Sequence, residues 1–350
     1  MQFLKLFREK PMRTALPAFG ALALGFLLAG RSATAADVNL LEHWQSFNVT
    51  VLGSGKPADA PALRDGDMWI HSDIEGPVYV AGDLHNGNTI GTRPVAGVSG
   101  EGLVVGGDLP GSGNYNINDG NVVIGGTIGS QVAINMNSGG TVTTGAPGLD
   151  DRSALLRAGY QSLSQFWAQT LTPVDLQSEA DRTTITAPEP RADGDAIGVL
   201  DLSRIATNQN INAYDLNGAD SFIINVPGTA VTFDLKTQNI PDDVFDDVIW
   251  NFYEADSLTI NGGSEFAGSI LAPFAAAETF NNIEGSHVFG SLTLRAQAHL
   301  PLFAGDPSLP DVGGTNSEAP NRVPLPGTAL LILAGLAAIT QRRRLLFIKL

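Results

Sequence analysis

A short strand that ends in small residues is repeated along the first half of the chain, and this repeat restricts the possible folds most strongly. Residues 78–84, 103–109 and 122–128 align without gaps, and the copies are 25 and then 19 residues apart. Each copy has apolar, mostly β-branched residues followed by Ala-Gly or Gly-Gly. Glycine lets the backbone turn at positive φ, and stacked copies of this length can bury a shared core. The repeat therefore predicts a β-solenoid.

A second pair of similar segments lies near the end of the chain. Residues 266–270 and 288–292 align with a spacing of 22 residues. With 40 glycines among 350 residues, many short strands and tight turns are expected. We predict a mainly β protein, a parallel β-helix, and retain a β-sandwich with loosely similar hairpins as the alternative.

Residues 151–171 break the β pattern, because their apolar residues recur every three or four positions. This spacing predicts one amphipathic helix, with Ser153 as a possible cap and Pro173 beyond its end. We expect the helix to cover the flank or an end of the solenoid. A membrane-surface helix is the weaker alternative, since Arg152 and Arg157 are its only cations.

The N-terminus has the features of a secretory signal peptide. A basic stretch is followed by an apolar run at residues 15–29 and by Ala33-Thr34-Ala35, which predicts cleavage before Ala36. The predicted signal peptide is residues 1–35, and an uncleaved anchor is the alternative.

The C-terminus combines a proline signature, an apolar run at residues 328–340 and an arginine cluster. The signature residues are Val323, Pro324, Leu325, Pro326 and Gly327, and the cluster is Arg342, Arg343 and Arg344. This order resembles the PEP-CTERM class of sorting signals and its VPLPA variant, with Gly327 in place of alanine. The resemblance implies processing by an exosortase-type membrane protease in a Gram-negative bacterium, after transient anchoring of residues 323–350 in the inner membrane. A permanent tail anchor is the alternative.

Charge and cysteine content exclude several classes of function. Residues 1–35 contain five Lys or Arg and one acidic residue, and residues 323–350 contain four Lys or Arg and no acidic residue. Residues 36–322 therefore contain 11 basic and 35 acidic side chains, a net charge of −24. Such a surface repels nucleic-acid phosphates, so we expect no nucleic-acid partner. The absence of cysteine excludes disulfides, thiol nucleophiles and Cys-based zinc sites.

Several stretches together resemble the choice-of-anchor A family of bacterial surface adhesins. They are residues 73–84, 223–229, 249–255, 268–273 and 282–285. The resemblance implies an adhesin-like β-helical domain at residues 36–305, joined to the sorting signal by a flexible linker at residues 306–322. It also implies an extracellular polysaccharide or other surface ligand, a location at the cell surface or in the extracellular matrix, and no catalytic residues.

Clustered carboxylates are the main candidates for chemistry. Asp242, Asp243, Asp246 and Asp247 could bind Ca²⁺ or act as general acids and bases. Neither EF-hand nor calcium-binding nonapeptide spacing is present, so a solvated acidic loop is favoured. The five histidines lack metal-ligand spacing and are expected at the surface or at strand edges. No residue is assigned as catalytic, and no cofactor is expected except possible Ca²⁺.

Two further patterns have a functional and a structural interpretation. Glu75-Gly76 and Glu284-Gly285 could be paired acidic ligands or a repeated turn, and the turn is favoured. Threonines at residues 141–143 and 183–186 could belong to an ice-binding face, but they are not repeated once per coil, which disfavours ice binding. We therefore predict a secreted adhesin-like structural protein that is not an enzyme, with a β-helical polysaccharide lyase or hydrolase as the alternative.

Overall fold

The computed structural model describes residues 38–55, 64–95, 100–179, 182–205, 210–237, 239–261 and 265–309. The helices are α1 (Leu40–Trp44), α2 (Leu149–Trp167) and α3 (Asp242–Phe245), with a 3₁₀ turn at Leu202–Arg204. The strands are β1 (Val49–Val51), β2 (Met68–Ile70), β3 (Val78–Val80), β4 (Leu84–His85), β5 (Thr89–Ile90), β6 (Glu101–Val105), β7 (Ser112–Ile117), β8 (Asn121–Ile124), β9 (Gln131–Met136), β10 (Val142–Thr143), β11 (Asp175–Glu179), β12 (Arg182–Thr186), β13 (Asp195–Val199), β14 (Asn210–Asp215), β15 (Ser221–Asn225), β16 (Ala230–Phe233), β17 (Lys236–Thr237), β18 (Val248–Asn251), β19 (Ser257–Ile260), β20 (Glu265–Ala267), β21 (Ser269–Thr279), β22 (Asn282–Glu284), β23 (His287–Leu294) and β24 (Ala298–His299).

The largest sheet shows how the chain is arranged. Its central path has the order β10-β8-β6-β3-β1-β23-β21-β18-β15-β13, and its strand pairs are parallel. From β1, the strands β3, β6, β8 and β10 extend towards one end of the stack. The chain then returns along α2, and β13 to β23 build inwards from the other end. The mainly β prediction is confirmed, and the long parallel sheets are compatible with the predicted β-helix.

Two smaller sheets form another side of the stack. One has the order β11-β12-β14-β17-β20-β22-β24, and the other has the order β5-β7-β9. Parallel bridges from Ile74 to Ala298 and to Ile90 connect them. Their inward side chains, such as Ile117, Ile211 and Ile283, are fully buried in the same core as those of the large sheet.

The register of the strands tests both sequence alignments. Val78 pairs with Leu103 in β6, which pairs with Val122 in β8, so the first repeat is confirmed residue by residue. The second alignment is wrong: Ile270 pairs with His287, 17 positions later, and not with a residue 22 positions later. The turns that repeat are those at Gly268 and Gly285, where φ is 115° and 123°.

Close contact between coils explains the glycines of the first repeat. A Cβ on Gly106 would lie 2.4 Å from the carbonyl oxygen of Ala81, and a Cβ on Gly107 would lie 2.3 Å from Oδ1 of Asp83. Both distances are far below van der Waals contact. The Gly-Gly signature is therefore a consequence of how tightly successive copies of the repeat pack against each other.

Helix α2 covers the outer side of the large sheet, as predicted for residues 151–171. Its buried residues Leu156, Tyr160, Leu163 and Trp167 belong to a second apolar cluster that includes Tyr79, Val104, Ile223, Ile249 and Leu271 of the sheet. Two buried asparagines fasten the helix: Asn225 donates to the carbonyl oxygen of Trp167, and Asn251 donates to that of Ser164. Such bonds satisfy polar groups that burial would otherwise leave unpaired.

The start of α2 differs from the prediction. The helix begins at Leu149 after Gly148, which has φ of 82° and offers no side-chain cap. Ser153 lies inside the helix and is buried, and its hydroxyl forms a hydrogen bond with that of Tyr79. The residue proposed as a cap therefore fastens the helix to the sheet.

The two predicted sorting segments, residues 1–35 and 323–350, lie outside the described residues. Among the described helices, none is long and apolar enough to cross a membrane. The predicted linker at residues 306–322 is described only up to residue 309, where Ser308 N–H donates to Asp195 Oδ2 over 2.7 Å.

The stacking contact at Gly106 predicts a specific loss of stability. Gly106→Ala forces two coils apart or strains the backbone, and we expect it to lower the free energy of unfolding by about 1–3 kcal/mol. The matched control is Ala81→Gly, the equivalent position one coil earlier, which should cost below about 1 kcal/mol. Urea unfolding followed by circular dichroism measures both, and equal losses would contradict the stacking explanation.

Candidate functional site

A row of six outward-facing side chains crosses one exposed side of the stack, and we call it the outer row. Strands β16, β19, β21, β23, β2 and β4 lie side by side there, all parallel. The row consists of Thr232, Thr259, Glu278, Thr293, Trp69 and His85, each opposite the next. Since neighbouring strands are about 4.8 Å apart, the residues of the row recur at a regular spacing.

The buried neighbours of the outer row hold it in place. In every one of these strands the residue before the row residue is buried, as Leu258 and Leu292 show. This alternation of buried and exposed positions is what a half-buried strand requires. The row is charged only where Glu278 and Arg295 form an ion pair, and the Arg295 guanidinium lies 5.4 Å from the ring centre of Phe280.

Trp69 and His85 form one end of the outer row. Their rings are stacked, with centroids 4.5 Å apart and planes 14° from parallel. The indole N–H of Trp69 is buried and has no hydrogen-bond partner among the described residues. The stack fixes the orientation of the imidazole, so that its Nε2 points towards Asp67 Oδ2 at 3.3 Å.

Asp67, Asp83 and His85 bring three possible ligand atoms within 4.8 Å of one another. Among the described residues they are the only such group, and His85 is the only basic side chain within 4.0 Å of either carboxylate. Two carboxylate oxygens and one imidazole nitrogen could hold a divalent cation and leave open positions for another ligand. A nitrogen ligand fits Zn²⁺ better than Ca²⁺, which prefers oxygen.

The same aspartates have a structural role that the contacts show directly. Asp67 accepts the backbone N–H of Asp83 over 2.9 Å, and Asp83 accepts that of Asp108 over 2.7 Å. Asp108 in turn accepts both the N–H and the hydroxyl of Thr127. These bonds lower the pKa of Asp108. We call this series the aspartate ladder, and it accounts for the positions of both carboxylates without an ion.

The structure does not bring the four predicted aspartates together in the same way. Asp242 and Asp243 are exposed in α3, and Asp246 and Asp247 are half-buried after it. Burial, followed by the neighbouring carboxylates, raises the pKa of Asp246 to about 6. Phe245 and Val248 of this segment are buried, and Val244 packs against the core. Ca²⁺ binding here stays a prediction.

Two of the five histidines contradict the expectation of surface or edge positions. His43 and His287 are fully buried, and burial lowers the pKa of His287 to about 3. The pKa of His43 is lowered by burial and then by the charge of Arg152. His43 lies on α1 and His287 on β23, and both were missed because the local sequence does not show which distant residues enclose a side chain.

The two Glu-Gly segments form turns, but their carboxylates do not simply face solvent. Glu284 lies 3.7 Å from His299 Nδ1 and is the main cause of the raised pKa of His299. Glu75 accepts hydrogen bonds from the Leu300 N–H and from Arg93. The favoured turn is therefore present with both carboxylates in contact with protein groups, and their role as a pair of acidic ligands stays a prediction.

The signal-cleavage and sorting residues lie outside the described part of the chain. Sequence reasoning also missed Trp69 and His85, although the Gly-Asp step at residues 82–83 and 107–108 occurs again at Gly66-Asp67 and could have indicated the aspartate ladder. Threonines of the outer row were missed because the strands that align them are far apart in sequence. Thr183, which was considered for an ice-binding face, is buried.

Comparison with known families identifies one matching model, whose description is "Putative Ice-binding-like adhesive domain"; it covers residues 43–300. The match therefore includes most of the described residues, the outer row and α2 among them. No curated protein and no solved structure matches the chain significantly.

The raised pKa of Asp246 predicts how its substitution affects stability. Ionising a carboxyl whose pKa is higher in the folded state opposes folding, and this effect disappears once the pH falls below both pKa values. Asp246→Asn should therefore raise the free energy of unfolding at pH 7.5, by about 1 kcal/mol or less because solvent screens the half-exposed group. Near pH 4, close to the unfolded-state pKa, most of this difference should be lost.

Asp234→Asn is the control, because this exposed aspartate is not among the carboxylates that raise the pKa of Asp246. Urea titrations between pH 4 and 7.5 give the comparison. A gain at Asp246 that persists unchanged at pH 4 would mean that its ionisation is not the cause.

Proposed function

The chain belongs to the family of ice-binding-like adhesive domains, and on this premise we propose that it is a secreted, surface-attached adhesin whose domain is a β-solenoid. The single observation that carries this proposal is the outer row, a regular series of side chains on a parallel sheet. Adhesion needs an extended and ordered contact surface more than a deep pocket, and stacked coils supply one.

We propose that the ligand of the outer row is an uncharged, hydroxyl-rich polymer such as an extracellular polysaccharide. Thr232, Thr259 and Thr293 offer hydroxyl donors and acceptors at regular spacing. The net charge of −24 on residues 36–322 opposes contact with an acidic polymer. The paired Glu278 and Arg295 add polar contacts without a net charge.

Ice is the second candidate ligand, because three threonines of the outer row are aligned across strands. The row is interrupted by Glu278 and ends in the stacked Trp69 and His85, so its chemistry is less uniform than a repeated threonine surface. We therefore favour the polymer. Thermal hysteresis of the purified protein would support ice instead.

We also propose that the domain reaches the cell surface or matrix through its two ends. The signal-peptide pattern at residues 1–35 supports export, and the Val-Pro-Leu-Pro-Gly signature with its apolar run supports processing by an exosortase-type membrane protease after transient anchoring. Residues 306–322 then act as a linker between the domain and the processing site. The basic ends are removed, which leaves the acidic body.

Binding to polysaccharides tests the adhesive face. We expect the purified protein to bind at least one neutral polysaccharide on a glycan array or in a pull-down, and Thr259→Arg to weaken that binding about tenfold by placing a bulky cation in the outer row.

Gln177→Arg, an exposed change on β11 away from the outer row, is the matched control and should bind like the parent. Equal weakening by both variants would argue against the outer row as the binding face. Cleavage of any polysaccharide in the same samples would instead support the alternative of a β-helical lyase or hydrolase.

The sorting proposal predicts the termini of the mature protein. Mass spectrometry of protein recovered from the native cells should find Ala36 as the first residue and no peptide that extends to Leu350. A variant with Pro324→Ala and Pro326→Ala should keep its C-terminal peptides, since the signature is what the protease would read. Peptides reaching Leu350 in the parent protein would contradict processing, whatever the result of the binding assays.

A further inference from the structure

One end of the stack is an open edge, and we propose that two copies of this chain pair through it about a two-fold axis. The open end consists of β9, β10 and the connecting residues up to Gly148. Among the described residues, β9 pairs only with β7, and β10 only with β8. The other long edge of each strand therefore offers unpaired N–H and C=O groups, a template for a further strand.

The core is exposed at the open end. One coil inside it, Tyr115 and Ile117 of β7 are at most 1% exposed. The corresponding inward residues of β9, Ile134 and Met136, are only partly buried although they pack on the same core, and Val142 of β10 is 40% exposed. A second coil placed on this end would complete their burial, which favours association.

Charge distribution singles out this end for self-association. Residues 120–149 contain no Asp, Glu, Lys or Arg, although the surrounding body carries a net charge of −24. Exposed strand edges are usually protected by charges or proline. β9 and β10 contain neither, so two copies can approach through this end without the repulsion that would separate their other surfaces.

The opposite end of the stack is protected by pairing and by charge, and this determines the symmetry. The edge of β13 is covered at Val199 by residues 172–174. The Val199 N–H donates to the carbonyl oxygen of Thr172, and the Val199 carbonyl oxygen accepts from the Val174 N–H. Strand β11 is the edge of the neighbouring sheet and pairs only with β12 among the described residues, but it carries the exposed Asp175 and Glu179, whose charges oppose pairing with a further strand. A head-to-tail chain is thus disfavoured, and open end against open end gives an isologous dimer.

Side chains on β9 can take part in this pairing. Asn135 donates to the Asn116 carboxamide one coil inside, over 2.9 Å, and Asn137 donates to Asn118 in the same way. An asparagine carboxamide has two N–H donors and a carbonyl acceptor. Both asparagines therefore retain groups that can bond to a second copy, and the same carboxamides on that copy are complementary to them.

The chain has no cysteine, so single introduced cysteines can report which ends meet. Ala133→Cys is exposed on β9 and Gln177→Cys is exposed on β11. The full chain is kept in a mild nonionic detergent so that its apolar termini stay apart. A short bis-maleimide should then cross-link Ala133→Cys into a covalent dimer and should leave Gln177→Cys without cross-links. Cross-linking between the two variants, but not within Ala133→Cys, would overturn the two-fold arrangement.

Light scattering after size exclusion gives the independent test. We expect a monomer–dimer equilibrium whose midpoint concentration rises about tenfold or more in Asn135→Lys, because two like charges then face each other. Gln177→Lys is the matched control and should leave the midpoint unchanged. Circular dichroism must show that both variants are folded. The proposal would be overturned if the parent protein were monomeric at every concentration, or if it paired only with a strand from another protein.

Discussion

The pairing of β1 with β23 is the contact on which the two halves of the structure depend. Val49, Thr50 and Val51 lie opposite His287, Val288 and Phe289, and on their other side the same three residues pair with β3. Asn48 extends this joint, because its carboxamide donates to the carbonyl oxygens of Gly285 and His299. The first of these bonds joins residues 237 positions apart. Without β1, the coils of each half would end in an unpaired edge at the centre of the stack.

This joint also explains why polar residues are buried deep in an otherwise apolar structure. Thr50 is buried between the sheet and α1 and bonds to the ring nitrogen of His43. His287 is enclosed at the joint and stays neutral, since burial lowers its pKa to about 3. The imidazole is neutral because a positive charge in a low-dielectric interior is unfavourable. The aspartate ladder begins nearby. In it, each carboxylate accepts a hydrogen bond from a backbone N–H of a following strand connection.

Local repetition could be predicted from the sequence, whereas long-range order could not. The register of Val78, Leu103 and Val122 could be predicted because successive copies of the repeat have similar residues at each aligned position. Pairing of β1 with β23 leaves no such local pattern, because the partners come from different parts of the chain. The spacing of 22 failed for a different reason, because the apolar–Gly–Ser resemblance does not identify which glycines turn. Trp69 and His85 become neighbours only through strand order, so the outer row was beyond sequence reasoning.

Charge limits which of these surfaces can meet another molecule. A body with a net charge of −24 repels a second copy of itself and any acidic polymer over most of its area. Two described surfaces escape this repulsion for different reasons. On the outer row, Glu278 is paired with Arg295, and at the open end residues 120–149 carry no charge at all. The two lie on different strands, so ligand binding on the row and pairing at the end can occur together. Two copies that pair through their open ends would present two outer rows to one ligand. The dimer would then bind more tightly than one copy, although each row makes the same contacts with the ligand.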